Sequence, residues 1–128
     1  MKLISALFAG AVSLSATAAS ADPTFLAGPD LRHAVTGRTV YLKISGFELP
    51  IRYAASGRMS GKMSASAAAL SRGDGAVDSG HWWIEGNQLC QRWTSWLDGK
   101  SYCYKFTVKG KSVHWIRNDG RSGTARIG

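Results

Sequence analysis

The stretch HWWIEGNQLCQRWTSWLDGKSYCYKFTVKGKSVHWIRNDGRSGTARI, residues 81–127, decides the fold class. Short runs of β-forming residues alternate in it with turn residues. His81 to Glu85 reads as a strand, Gly86-Asn87 as a tight turn and Gln88 to Thr94 as the next strand. Asp98-Gly99 marks a further reversal before Ser101 to Val108, where Tyr102, Tyr104, Phe106 and Val108 share one face. Lys109-Gly110-Lys111 turns the chain into Ser112 to Arg117, and Asn118-Asp119-Gly120 turns it into Arg121 to Ile127. Period-two alternation identifies half-buried strands, and turns at this spacing connect antiparallel neighbours. The chain is therefore expected to be all-β, a small antiparallel meander forming a barrel or a sandwich.

One register can be read directly. If Trp93 faces Lys100 across the Asp98-Gly99 reversal, counting back in step sets Cys90 opposite Cys103, Leu89 opposite Tyr104 and Gln91 opposite Tyr102. Two cysteines so placed on adjacent antiparallel strands are within bonding reach. The tyrosine side is then the core face and the cysteine side the wetter one. A disulfide closing this loop of about a dozen residues stabilises by roughly 3 kcal/mol. No CxxC motif suggests redox chemistry, so a structural staple is expected.

Upstream, Val40, Leu42 and Ile44 alternate with Tyr41 and Lys43, so Thr39 to Ser45 reads as a strand. Phe47 to Ala55 reads as a second, with Pro50 implying an edge or a bulge, and Arg58 to Ser64 as a third. A Gly/Ala/Ser-rich loop or short helix, with Ser64 to Arg72 the helical candidate, separates these strands from the Trp-rich half. Gly73-Asp74-Gly75 and Asp78-Ser79-Gly80 are turn signals, so Ser71 to Gly80 reads as a mobile loop. Residues 22–38 read as a lead-in segment with a helical turn around Asp30 to Ala34, and residues 39–128 as a single β-domain.

The N-terminus has another purpose. Lys2, the apolar run Leu3 to Leu14 and Ala19-Ser20-Ala21 come in the order of a secretory signal peptide, residues 1–21. The run is too short to span a membrane as a helix, and no later segment is apolar enough to do so. A periplasmic or secreted protein is expected, in a compartment that permits the disulfide. The formal net charge is +8. Between Lys100 and Gly128, Lys100, Lys105, Lys109, Lys111, Arg117, Arg121 and Arg126 are opposed only by Asp119. They read either as a face for anionic partners or as a solvated surface.

Catalytic and metal motifs are weak. His33, His81 and His114 lack ligand spacing, so no metal is expected. Asp74 and Asp78 lack the order of a calcium loop. Glu85 and Asp98 are a formal carboxylate pair, but both sit in turns. No GxSxG elbow is present. No cofactor is implied, and the chain is not expected to be an enzyme. The tryptophans carry more. Trp82 and Trp83 are adjacent in a strand, so they face opposite ways, and Trp96 lies in a loop. Trp96 with Trp82 or Trp83, Arg92 and Lys100 is the candidate binding surface. The plainer alternative folds these rings over the sheet.

The run His81 to Trp93, with Asp98-Gly99, Cys103, Trp115 and Gly120 to Ile127, resembles a group of small secreted proteobacterial proteins of unknown function. They share a Gly-Trp-turn-Leu-Cys-Trp…Cys pattern. Tyr53-Ala54-Ala55-Ser56-Gly57 and Met59-Ser60-Gly61 fit its upstream part. The resemblance implies a periplasmic β-domain and carries over no catalytic residues, since none are established for the group. The expected function is that of an exported, non-catalytic binding or interaction domain of unknown partner, a protein or an anionic envelope component. An electrostatic binder of anionic envelope polymers, a small hydrolase and a ligand carrier are the alternatives. Nucleic acid is not an expected partner.

Overall fold

Eight antiparallel strands follow one another around a closed barrel in the computed structural model, which describes residues 24–70 and 76–128. The strands are β1 (Arg38–Ile44), β2 (Phe47–Tyr53), β3 (Arg58–Lys62), β4 (Val77–Glu85), β5 (Gln88–Trp93), β6 (Ser101–Lys109), β7 (Ser112–Arg117) and β8 (Ser122–Ile127). Helix α1 (Gly28–Val35) precedes β1, and α2 (Ala65–Leu70) lies between β3 and β4. The signal-like segment and Gly73-Asp74-Gly75 lie outside the described residues.

The choice between barrel and sandwich is settled by one ladder. Val40, Tyr41 and Leu42 of β1 pair with Ile127, Arg126 and Ala125 of β8. Closure removes both sheet edges, whose unpaired N–H and C=O groups would otherwise invite association. Alternation then sorts the side chains. Val40, Ile51, Leu89, Phe106, Val113 and Ala125 are buried inside, while Lys43, Glu48, Arg52, Arg92 and Lys105 are exposed outside. No described helix is long and apolar enough to cross a membrane.

Cys90 pairs with Cys103, Leu89 with Tyr104 and Gln91 with Tyr102, the register read from the sequence. The Cys90–Cys103 disulfide is formed across this ladder. Replacing both cysteines with alanine is expected to lower stability by about 3 kcal/mol, because the unfolded chain regains the freedom of the closed loop. Urea unfolding with and without reductant checks this. A midpoint unmoved by reduction would refute the staple role.

The structure departs from the sequence reading at three places. The lead-in is a two-turn helix and not a single turn. Pro29 starts it, and Leu31 and Val35 are fully buried in the core at one end of the barrel. The Gly28 N–H donates to Asn87 Oδ1 at 2.9 Å and the Leu26 N–H to the Phe106 carbonyl at 2.8 Å, so α1 is tied down as a plug. Asp78-Ser79-Gly80, expected in a loop, belongs to β4, paired with Gly61, Ser60 and Met59 of β3. Long-range pairing outweighs the local turn preference there, and Gly80 is small for packing reasons. Pro50 lies within a closed sheet, yet it sits just beyond the β2–β3 ladder, which holds only Ile51, Arg52 and Tyr53. Its missing N–H is tolerated because β2 has no partner on that side at Pro50.

Candidate functional site

With α1 closing one end, the connections β1–β2, β3–β4, β5–β6 and β7–β8 surround the other. Between them lies a cavity of about 500 Å³. Its walls come from inward positions of the strands, among them Leu49, Ile51, Leu89, Phe106 and Ala125. No aspartate or glutamate lines it.

The aromatic part of the wall depends on one buried carboxylate. Asp78 Oδ2 accepts hydrogen bonds from the backbone N–H groups of Ser95 (2.9 Å) and Trp96 (2.8 Å). These bonds fold the β5–β6 connection over the barrel and carry Trp96 inside, where its ring lies 4.6 Å from that of Trp93. Gly61 leaves the room: a Cβ there would stand 2.6 Å from Cζ3 of Trp96. The same connection holds Leu97 and Asp98 in the left-handed region, at φ 55° and 57°. That strain is of order 1 kcal/mol per residue and persists only where surrounding contacts enforce it, as they do at many binding sites. It leaves Leu97 39% exposed on the rim, across from Ile44 at 44%. Two of the largest exposed apolar side chains thus stand at the mouth.

Polar groups occupy both ends of the cavity. Toward the closed end, the Tyr53 hydroxyl donates to Gln91 Oε1 at 2.8 Å, and burial pushes the Tyr53 hydroxyl pKa far up, so it stays protonated. On the β7 wall, the indole N–H of Trp115 is buried with no acceptor among the described residues. Trp115 also packs edge-on against Tyr104, with centroids 5.4 Å apart. Toward the mouth, Arg117 is 8% exposed, lies over the Tyr102 ring at 4.1 Å and grips Asp119 through Nε–Oδ1 (2.8 Å) and Nη2–Oδ2 (2.6 Å). The Arg117 hydrogen bonds hold the Asp119 carboxyl down at about 2. Arg121 follows on the same turn with no ion pair among the described residues.

No family model, curated protein or solved structure matches this chain.

The residues expected to form a binding surface are not brought together. Trp82 is buried at the closed end, its indole N–H donating to the Ala54 carbonyl at 2.9 Å. Trp96 is buried in the cavity wall. Trp83 lies on the outer face beside Glu85, while Arg92, also outside, donates to the Gly99 carbonyl. Lys100 is exposed after the mouth connection. Of the five, only Trp96 lines the cavity.

The C-terminal basic residues do not share one face either. Arg117 is turned inward, Arg126 pairs with Glu48 at 2.9 Å, and Lys109 and Lys111 flank the turn at the opposite end from Arg121. Glu85 and Asp98 also sit at opposite ends, too far apart to act as a carboxylate pair. Among the described residues the one metal-like cluster is Glu85 with Cys90 and Cys103. Its sulfurs are joined in the disulfide and offer no thiolate.

Sequence reasoning missed Gln91 and Arg117 as site residues. The signal existed: both are polar residues at positions whose strand neighbours face the core.

Proposed function

We propose that the protein is an exported, non-catalytic binding domain whose barrel takes up a small, largely apolar molecule through the open end. The carrying observation is the cavity of about 500 Å³ inside a closed barrel, with apolar walls and a few convergent polar groups. Ligand sites have this size and make-up, and barrels of eight strands hold one small ligand. The exposed Ile44 and Leu97 at the mouth suit an apolar guest in transit. Export is supported by the signal-like first 21 residues and by the disulfide. A ligand carrier accounts for more of the geometry than a protein-docking module, because the tryptophans of the candidate surface are divided between the interior and the outer face.

The test uses the neutral fluorophore N-phenyl-1-naphthylamine, which accepts excitation energy from tryptophan. Binding to the wild type is expected to quench emission of the cavity-wall tryptophans. Ala125→Phe fills the cavity, and affinity is expected to fall about tenfold or more while the fold is kept, since the cavity absorbs the added volume. Equal binding by a folded Ala125→Phe variant, or no binding by the wild type, would sink the proposal.

A further inference from the structure

The polarity of the cavity is one-sided, and this narrows the guest beyond its being apolar. Its charged lining residues are cationic: Lys43, Arg117 and Arg121, all at the mouth. They are not equivalent. Lys43 faces outward by strand parity and is paired in register with Glu48 of β2. Arg117 is turned inward but is already satisfied by Asp119. Arg121, exposed in the turn just before β8, lines the mouth; its backbone N–H donates to Asp119 Oδ1 at 3.2 Å, and its guanidinium has no ion pair among the described residues. At the β7–β8 turn two arginines stand against one carboxylate, and Asp78 and Asp98 at the same end do not line the cavity, so the lining itself carries positive charge at the opening. The other polar groups reinforce this. The Gln91 carbonyl oxygen is taken by the Tyr53 hydroxyl, which leaves its amide N–H₂ as a donor. The interior offers hydrogen-bond donors and positive charge to a guest, and no carboxylate.

Resting on the binding function proposed above, we infer that the guest is a single-headed anionic amphiphile, with its apolar tail in the barrel and its anionic head at the mouth on Arg121, beside the Arg117–Asp119 pair. A guanidinium binds a carboxylate or a phosphate in the same forked geometry, so either head satisfies this chemistry. The apolar walls accept an alkyl chain or a fused ring, and the exposed Leu97 and Ile44 lie beside the point where head and tail join.

The experiment is calorimetric titration of the wild type and of Arg121→Gln with decanoate, decyl phosphate and decan-1-ol, each below its aggregation concentration. At least one of the two anions is expected to bind the wild type about tenfold more tightly than the alcohol, because a charge-assisted pair replaces a neutral hydrogen bond. Which anion binds better identifies the head. Arg121→Gln is expected to remove most of that advantage and to leave decan-1-ol unchanged. Arg126→Gln, on the outer face, removes the same formal charge and is expected to leave all three affinities within about twofold. Equal affinity of the wild type for alcohol and anions overturns this inference while the cavity remains a binding site. Loss of the anion preference in Arg126→Gln as well overturns it too, since net charge and not the mouth arginine would then be responsible. Failure of all three to bind overturns both the inference and the function it rests on.

Discussion

Gly80→Ala is expected to abolish stable folding. Gly80 pairs with Trp93 of β5, and a Cβ built on it would stand 2.1 Å from the Arg92 carbonyl oxygen and 2.9 Å from Cε of Met59. The methionine end can move, but the carbonyl belongs to the neighbouring strand. Relief requires β4 and β5 to part, and β5 is fixed on its other side by the Cys90–Cys103 disulfide to β6. Such a clash costs more than about 3 kcal/mol, a large share of the roughly 5–15 kcal/mol that holds a small domain together. Ser79→Ala, one residue earlier and facing outward, is expected to change stability by no more than about 0.5 kcal/mol. Circular dichroism and urea unfolding of the two variants provide the comparison. A Gly80→Ala protein that melts within a few degrees of the wild type would show that β4 and β5 do not approach as described.

Trp82→Ala is expected to cost about 3–5 kcal/mol, whereas Trp83→Ala is expected to cost no more than about 1 kcal/mol. Trp82 is buried, stacks edge-on against Tyr53 at 5.7 Å and lies under the Arg32 guanidinium at 5.9 Å. Its removal opens a void between the α1 plug and the barrel and leaves the Ala54 carbonyl with the Gly57 N–H as its remaining donor. Trp83 lies on the outer face, where water replaces what alanine loses. Denaturant midpoints of the pair decide the matter. Equal losses, or the larger loss at Trp83, would mean that the faces are reversed. The Trp82 variant is also expected to bind the neutral fluorophore less tightly, because Tyr53 and Gln91 lose the support that holds them at the closed end.

Much of this molecule is written locally. The turns Gly86-Asn87, Lys109-Gly110-Lys111 and Asn118-Asp119-Gly120, with period-two runs between them, determine the second half of β4, the strands β5 to β8 and their antiparallel order, since hairpins depend on residues a few positions apart. The Cys90–Cys103 register follows from the same local counting. The alternation also settles that Trp82 and Trp83 face opposite ways. It leaves the sign open, because inside and outside exist only once the sheet has closed, and closure rests on three residue pairs between β1 and β8 at opposite ends of the domain. The site depends on such distant terms throughout. Asp78 reads as a turn residue until its carboxylate is seen binding the backbone of Ser95 and Trp96, which draws a loop tryptophan into the core. Arg117 and Arg121 read as surface charge until closure places both on the lining of one cavity. Short-range propensity and periodicity therefore determined the strands and the staple. The plug, the cavity and the charge at its mouth were decided only by tertiary structure, because each requires contacts that no local stretch of chain contains.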